Sequence, residues 1–242
     1  MNSIKLDRTL GELVAESPAR AAVLESLGLD FCCGGAQTLE SACRDAGLDA
    51  ATVGRLLANP PVAAAGTAGA EPDVRGMSLT ELVDHIEQTH HVFMRTTLPR
   101  LADQAAKVTS AHGDTCPEVR AIQDVLAGLT AELEMHLDKE EQVLFPAIRA
   151  LEQTGGSASF HCGDLSTPIR VMFMEHDQAG EALARLRQLS SGYTLPADAC
   201  GTFEAYYAGL QGLERDLHRH IHKENNVLFP RVIERLRPST AE

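Results

Sequence analysis

One stretch of the chain combines a helical stripe of apolar residues with two ionisable residues inside that stripe. Apolar positions step by alternating intervals of four and three from Ile122 to Leu133, and the same steps then fall on His136, Glu140 and Val143. This spacing is typical of one face of an α-helix. The pattern therefore predicts a helix whose buried face carries an imidazole and a carboxylate one turn apart.

The same arrangement recurs near the C-terminus. The stripe there runs from Tyr206 to Leu217 and continues onto His220, Glu224 and Val227, and the segments 136–146 and 220–230 share seven of their eleven residues. Burying a carboxylate without a positive partner costs several kcal/mol. Two helices with the same buried carboxylate therefore predict a shared cation, and a metal site inside a helix bundle explains both.

The remaining pattern predicts an all-α chain with a small helical domain at residues 1–58. Thr9, Ser17 and Thr38 are the expected N-caps of its helices. A linker rich in Pro, Gly and Ala is expected at 59–77. The short helices themselves are predicted at 9–16, 18–27, 38–46 and 49–58.

Four long helices follow and predict an up-down-up-down four-helix bundle over residues 78–238, because their connections are short. Ser78 and Glu81 fit a capping box at the start of the first helix. Pro146 and Pro230 lie late in the second and fourth helices, where a kink or fraying is expected. The predicted helices span 78–108, 117–152, 166–190 and 199–236.

Composition narrows the classes of function. The chain has 242 residues, a net charge of −13 and no basic cluster, which argues against binding to nucleic acid or to an anionic membrane surface. No apolar run approaches the roughly 20 residues of a transmembrane helix, and the N-terminal residues do not resemble a signal peptide. With six cysteines in a chain of this length, the expected location is the cytoplasm.

The other two long helices supply further imidazoles. In the third, His176 lies in phase with Ile169 and Leu183. In the first, the upstream apolar residues predict that His90 faces inward, whereas the downstream ones predict His91, so periodicity leaves the two open. On the fourth helix, His218 and His222 flank His220 on a different face and are predicted to be solvated.

The predicted donor set is four imidazoles and two carboxylates, which exceeds the four ligands of a structural zinc site. Calcium and magnesium prefer oxygen ligands, whereas mixed imidazole and carboxylate ligands suit two iron ions. If Glu140 and Glu224 both bridge, each iron has two histidines, an oxo or hydroxo bridge adds a fifth ligand, and one position stays open. The prediction is two non-haem iron ions per chain, and a metal-free network of core residues is the alternative.

Adjacent cysteines are the second chemical feature. Cys32 and Cys33 precede Gly34 and Gly35, which permit a tight turn with access to the sulfurs. Thr38 is expected to start the next helix, whose positive end would favour thiolate. Such a pair could bind iron, contact a partner's cluster or change redox state, while two buried small side chains are the alternative.

Four motifs together resemble one known family, the repair-of-iron-centres family (RIC, ScdA or YtfE), over nearly the whole chain. They are Asp-Phe-Cys-Cys-Gly-Gly-x-Gln-Thr-Leu at 30–39, His-x-x-x-Glu-x-x-Val-Leu-Phe-Pro at 136–146, Glu-His-Asp-x-Ala-Gly-Glu at 175–181 and Glu-Asn-Asn-Val-Leu-Phe-Pro at 224–230. The resemblance implies a hemerythrin-like bundle and selects His91 over His90. It implies the reactive role for Cys32 and Cys33, and metal ligation by His91, His136, Glu140, His176, His220 and Glu224.

The resemblance further implies a cytoplasmic di-iron protein that repairs iron–sulfur clusters damaged by nitric oxide or oxidants. Supply of iron to damaged iron–sulfur proteins is the leading hypothesis. The alternatives are an enzyme that binds and reduces nitric oxide, and a sensor or store of oxygen or nitric oxide. The sequence leaves the oligomeric state open, and a homodimer is among the expected states.

Overall fold

A computed structural model describes residues 4–60, 72–155 and 165–236, and within these ranges the chain is helical throughout apart from turns and loops. The β pairing among the described residues is one isolated bridge between Thr9 and Thr38. The predicted all-α class is therefore confirmed. None of the described helices is both long enough and apolar enough to cross a membrane.

The four short N-terminal helices form where the hydrophobic pattern predicts them. Their buried faces supply fully buried leucines such as Leu10, Leu13, Leu24 and Leu39, and each such side chain contributes about 1.5–3 kcal/mol relative to exposure. The helices are α1 (Leu10–Glu16), α2 (Arg20–Ser26), α3 (Leu39–Asp45) and α4 (Ala50–Ala58).

Two of the three predicted N-caps are confirmed. Thr9 forms a reciprocal capping box with Glu12, and Thr38 accepts a hydrogen bond from the Ser41 backbone N–H. The prediction for Ser17 is wrong, because α2 has no side-chain cap. Ser17 instead ends α1, and its backbone carbonyl accepts from the Arg20 N–H, so the chain turns directly from one helix into the next.

The long helices also match the predicted ranges, and Ser78 and Glu81 form the expected capping box. Three of the four are divided by a short wider turn, so each of those becomes two α-helical segments. The segments are α5 (Leu79–Ile86), α6 (Val92–His112), α7 (Glu118–Lys139), α8 (Phe145–Gln153), α9 (Ser166–Leu189), α10 (Gly201–Lys223) and α11 (Phe229–Leu236).

The four-helix bundle consists of α6, α7, α9 and α10, which follow one another along the chain. Helix α7 packs against both α6 and α9, and α9 is joined to α10 by a bidentate ion pair in which Arg187 donates to Glu214. Helix α10 approaches α6 closely at Gly209, where an added Cβ would lie 2.7 Å from Leu101. Neighbours joined by short loops run antiparallel, which confirms the predicted up-down-up-down bundle.

The wider turns are π-helical, and they lie at Glu87–His91, Glu140–Leu144 and Glu224–Leu228. A π turn inserts one residue and shifts the buried face that follows it. For this reason the prediction that Val143 is buried is wrong: Val143 is 53% exposed, whereas Leu144 is 2% exposed. Helices continue beyond Pro146 and Pro230 rather than fraying, because the turn before each proline already lacks the α-helical bond that proline cannot donate.

The chain divides into two compact units. One comprises Met1–Leu82 together with Arg219–Glu242, and the other comprises Val83–His218. Most of the predicted linker, residues 61–71, lies outside the described residues, and its described end contains a 3-10 turn at Val74–Gly76. The boundaries proposed from the sequence, 1–58, 59–77 and 78–238, stay predictions.

The π turn after Glu140 makes a prediction about stability. Leu144→Ala should lower the free energy of unfolding of the metal-free protein by about 2–5 kcal/mol, because it removes a buried side chain. The neighbouring Val143→Ala should change it by less than about 0.5 kcal/mol. Urea denaturation followed by circular dichroism measures both, and a larger loss for Val143→Ala would contradict the shifted register.

Candidate metal centre

In the unit Val83–His218, three buried residues bring potential ligand atoms together. His136 lies near the end of α7, Glu140 begins the π turn that follows, and His176 lies midway along α9. One ligand atom from each lies within 4.8 Å of the others. His136 Nε2 is 3.4 Å from Glu140 Oε1 and 3.2 Å from His176 Nε2. The predicted inward orientation of all three residues is confirmed.

A second imidazole approaches the other oxygen of the same carboxylate. His91 Nε2 lies 3.3 Å from Glu140 Oε2. The His91 ring stacks on Phe145, with centroids 5.4 Å apart and an interplanar angle of 22°. Glu140 therefore has a histidine nitrogen near each oxygen, and its side chain is fully buried.

His90 and His91 are both buried but have different neighbours. His90 Nδ1 pairs with Asp216 Oδ1 at 3.0 Å, whereas His91 approaches Glu140. The π turn Glu87–His91 explains why periodicity left the two open: Ile86 before it and Met94 after it are both buried, on stripes offset by one residue. The geometry thus associates His91, and not His90, with the Glu140 group.

The opposite nitrogens of two of these imidazoles face carboxylates. His91 Nδ1 lies 2.9 Å from Glu141 Oε1, and His136 Nδ1 lies 2.8 Å from Glu175 Oε2. Because an ionised carboxylate only accepts hydrogen bonds, each Nδ1 donates, and in the neutral ring the Nε2 lone pair then points inward. Histidines that bind metals in proteins are typically oriented by such carboxylates.

The pKa values of the two outer carboxylates fit this role. The hydrogen bond from His136, with help from Lys139, lowers the pKa of Glu175 to about 2 despite partial burial. Burial also opposes ionisation of Glu141, but Arg95 and His91 outweigh it and lower the pKa of that carboxyl. Both groups are therefore ionised at neutral pH and able to hold the imidazole tautomers. Sequence periodicity did not indicate either residue, since both lie outside the apolar stripes.

The unit with both chain ends contains the second pair. His220 and Glu224 are fully buried, and His220 Nε2 lies 3.1 Å from Glu224 Oε1. Glu224 begins its π turn as Glu140 begins its own, so the repeated sequence has the same local structure twice. The predicted burial of both residues is confirmed.

The chemistry of these donors fits a cation. In both units, buried imidazole nitrogens lie within 3.4 Å of a buried carboxylate, and Nε2 atoms of His136 and His176 face each other. Nitrogen and carboxylate donors suit iron, manganese or zinc better than calcium. A cavity of about 150 Å³ lies beside His136 and His176, and its other walls include Leu133 and Ala179. That volume admits a diatomic molecule.

The cysteine loop belongs to the unit with both chain ends. Asp30 organises it: its Oδ1 accepts from the backbone N–H groups of Cys32 and Cys33 at 2.9 and 3.0 Å, and its Oδ2 accepts from Gly34 N–H at 2.9 Å. The two sulfurs are 3.9 Å apart. Asp30 was not among the residues predicted from the sequence to act here.

Two expectations for the thiols are wrong in the case of Cys32. Its side chain is 5% exposed rather than open to solvent. The neighbouring Cys33 thiol, burial and the Asp30 carboxylate together raise the pKa of Cys32 well above its usual value. Together these causes outweigh any effect of the helix that starts after Thr38, and the thiol form of Cys32 is favoured.

Residues at the end of α10 and on the turn after it contact the cysteine loop. Asn226 Nδ2 donates to the carbonyl oxygens of Cys32 and Phe31 at 3.0 and 3.3 Å. A Cβ on Gly35 would lie 2.1 Å from Asn226 Oδ1, so a larger residue there would displace the Asn226 side chain. His222 was predicted to be solvated, but it is 5% exposed and its ring packs against Phe31 edge-on.

Comparison with known proteins identifies both parts of the chain. A family model described as the hemerythrin HHE cation binding domain matches residues 81–232, and ScdA_N, described as a domain of unknown function (DUF542), matches residues 6–60. The first range contains every predicted metal ligand, and the second contains both cysteines of the loop.

Curated relatives match nearly from end to end. A protein of Enterobacter sp. (strain 638) named iron-sulfur cluster repair protein YtfE is 40% identical over 230 residues, which cover 94% of this chain and 97% of the relative. A probable iron-sulfur cluster repair protein of Haemophilus influenzae is 39% identical, with 93% and 96% covered. A YtfE protein of Escherichia coli O17:K52:H18 is 38% identical, with 94% and 97% covered. The chain therefore belongs to the repair-of-iron-centres family and contains that family's hemerythrin-type cation binding domain.

Proposed function

We propose that this chain restores damaged iron–sulfur clusters by supplying iron held in its bundle. The observation that carries the proposal is the buried carboxylate of Glu140 with an imidazole at each oxygen, in a chain whose relatives are named iron-sulfur cluster repair proteins. The clients would be iron–sulfur proteins damaged by nitric oxide or oxidants. The proposed location is the cytoplasm.

The proposed site holds two non-haem iron ions with an oxo bridge. Its ligands would be four histidines and two glutamates, with Glu140 and Glu224 shared between the ions. Support comes from the burial of all six residues and from the equal spacing of the two His-x-x-x-Glu pairs. The proposed ligands are His91, His136, Glu140, His176, His220 and Glu224.

The residues around the site have defined tasks in this proposal. Glu141 and Glu175 hold His91 and His136 with Nε2 turned inward. Iron bound there would be the cargo and would also offer an open position to a small molecule. Cys32 and Cys33 would accept iron or contact the client during transfer. The proposal includes no nucleic acid among the partners, since a net charge of −13 does not favour one.

A second candidate function is binding or reduction of nitric oxide, or reversible binding of oxygen or nitric oxide. The cavity of about 150 Å³ beside His136 and His176 favours it, because a diatomic molecule could enter there. Sustained conversion of nitric oxide to nitrous oxide with a reductant would support an enzyme. Reversible binding without loss of iron would support a sensor.

Substitution of the two adjacent histidines separates the proposed ligand from its neighbour. His91→Ala should lower the iron content of the purified protein by about half or more, since it removes a donor beside Glu140. His90→Ala removes a hydrogen bond with Asp216 instead and should leave the iron content unchanged. Iron is measured by mass spectrometry of acid digests. Equal losses in both variants would contradict the assignment.

Neutralising an orienting carboxylate should weaken retention of iron. Glu175→Gln removes the charge that fixes the His136 tautomer, and we expect loss of iron to a chelator to become about 10–100-fold faster. The control, Glu134→Gln, changes an exposed glutamate on α7, the helix that carries His136. An unchanged rate in Glu175→Gln would mean that His136 needs no such orientation.

The cysteines are tested by cluster restoration. The double variant Cys32→Ser with Cys33→Ser should keep its bundle iron but lose most of its ability to restore a nitric oxide-damaged client cluster, followed by return of client activity. Cys200→Ser, which changes an exposed thiol on the bundle, is the control. Full restoration by the double variant would remove the cysteines from the proposed mechanism.

A further inference from the structure

Three potential metal ligands meet in the cysteine loop, outside the bundle site. Oxygen from Asp30 and the sulfurs of Cys32 and Cys33 all lie within 4.8 Å of one another. Cys32 Sγ is 3.1 Å from Asp30 Oδ1 and 3.9 Å from Cys33 Sγ. The bundle ligands are imidazoles and carboxylates, whereas this group is rich in sulfur and therefore prefers softer cations.

The spacing of the sulfurs is that of ligands to one ion. With metal–sulfur bonds of about 2.3 Å and tetrahedral angles, two thiolates lie about 3.8 Å apart, close to the 3.9 Å found here. A disulfide between the two cysteines is disfavoured, because adjacent Cα atoms are about 3.8 Å apart and disulfides need about 4.4–6.8 Å. The sulfurs are thus kept close to each other as separate thiols.

The loop is fixed before any ion binds. Three backbone N–H groups, from Cys32, Cys33 and Gly34, hold the Asp30 carboxylate against the thiols. Asp30 Oδ2 accepts one of these bonds, from Gly34, so its second lone pair can still coordinate a cation. A preformed set of ligands loses little conformational entropy on binding.

The other side of the loop is held as firmly. Asn226 donates to the carbonyls of Phe31 and Cys32, and an added Cβ on Gly11 or Gly35 would lie 2.4 or 2.1 Å from Asn226 Oδ1. The absence of a Cβ at both glycines therefore leaves room for the Asn226 side chain beside the loop. Cys32 is buried while Asp30 is exposed and Cys33 half-buried, so the ligand group has an open side toward solvent.

We propose that Asp30, Cys32 and Cys33 form a second metal site that takes a thiophilic divalent cation, with ferrous iron as the physiological cargo. On binding, the ion displaces the two thiol protons to solvent and keeps its oxidation state. The site supplies three protein ligands, so a fourth position is open to a client thiolate. The identity of the cargo rests on the proposed function, whereas the existence of the site does not.

The charges explain why a cation belongs there. Without an ion, the thiol of Cys32 donates to Asp30 and stays protonated. Two thiolates beside a carboxylate would place three negative charges within 4.8 Å, and a divalent ion offsets most of that repulsion. Metal binding and proton release are therefore coupled at this loop.

Cobalt titration of the full-length, iron-loaded protein tests the site. Cobalt coordinated by thiolates gives an intense near-ultraviolet charge-transfer band, whereas cobalt bound by imidazole and carboxylate alone does not. We expect this band at one cobalt per chain in the unsubstituted protein. It should fall by half or more in Cys32→Ser and in Cys33→Ser, since each variant removes one of the two thiolates, and Asp30→Asn should weaken cobalt binding at least tenfold.

The matched controls are the thiols outside the loop. Cys200→Ser removes an exposed thiol that lies 3.3 Å from His112, the arrangement that would compete for cobalt, and Cys116→Ser removes a half-exposed thiol. Both should keep the band. Loss of the band in Cys200→Ser, or no band in the unsubstituted protein, would overturn the proposal.

A second measurement needs no substitution. Ferrous iron added without oxygen should slow alkylation of Cys32 and Cys33 at least tenfold, while Cys200 reacts at its metal-free rate, as read by peptide mass mapping. Equal protection of all three thiols, or of none, would overturn the proposal.

Cysteine-dependent cluster restoration without cobalt or iron binding at the loop would overturn this site and leave the proposed function intact. Binding at the loop without cysteine-dependent restoration would uphold the site and remove its role in repair.

Discussion

The buried carboxylate of Glu140 is the constraint on which the bundle depends. Its two oxygens face His91 and His136, and apolar side chains such as Phe145 enclose the group. A carboxylate in this position is costly unless positive charge compensates it. Glu141 and Glu175 accept from the Nδ1 atoms of His91 and His136, so the Nε2 lone pairs of these rings point inward. This arrangement suits a cation better than a neutral hydrogen-bond network.

Three π turns lie next to the buried polar residues of the chain. One ends at His91, one begins at Glu140 and one begins at Glu224. Each adds a residue, which lets a helix present a buried polar residue on its inner face and then return large apolar residues such as Leu144 and Leu228 to the core. The prolines that follow two of these turns are tolerated for the same reason, since the α-helical bond they would break is already absent.

The apolar stripes predicted the helices and the inward orientation of His136, Glu140 and His176, because that information repeats along one face. They failed at Val143, where the inserted residue shifts the face, and left His90 and His91 open for the same reason. An offset of one residue between the stripes before and after a position is the signal that could have indicated the turn. The family resemblance, rather than periodicity, selected His91.

Asn226 and His222 were beyond the reach of sequence patterns. Their partners lie in the Phe31–Cys32 segment, almost two hundred residues earlier in the chain, and no periodicity connects the two. Asp30 is a local case, since its carboxylate accepts hydrogen bonds from the backbone of its own loop. The Cys33 thiol, burial and Asp30 together raise the pKa of Cys32, which opposes the effect expected from the helix start.

Iron analysis of the protein purified from iron-replete cells, with its visible absorption spectrum, tests the central claim most directly. We expect about two irons per chain and the charge-transfer bands of an oxo-bridged pair, since six imidazole and carboxylate donors are more than one ion would use here. A colourless protein with a single zinc, or one without metal, would contradict it.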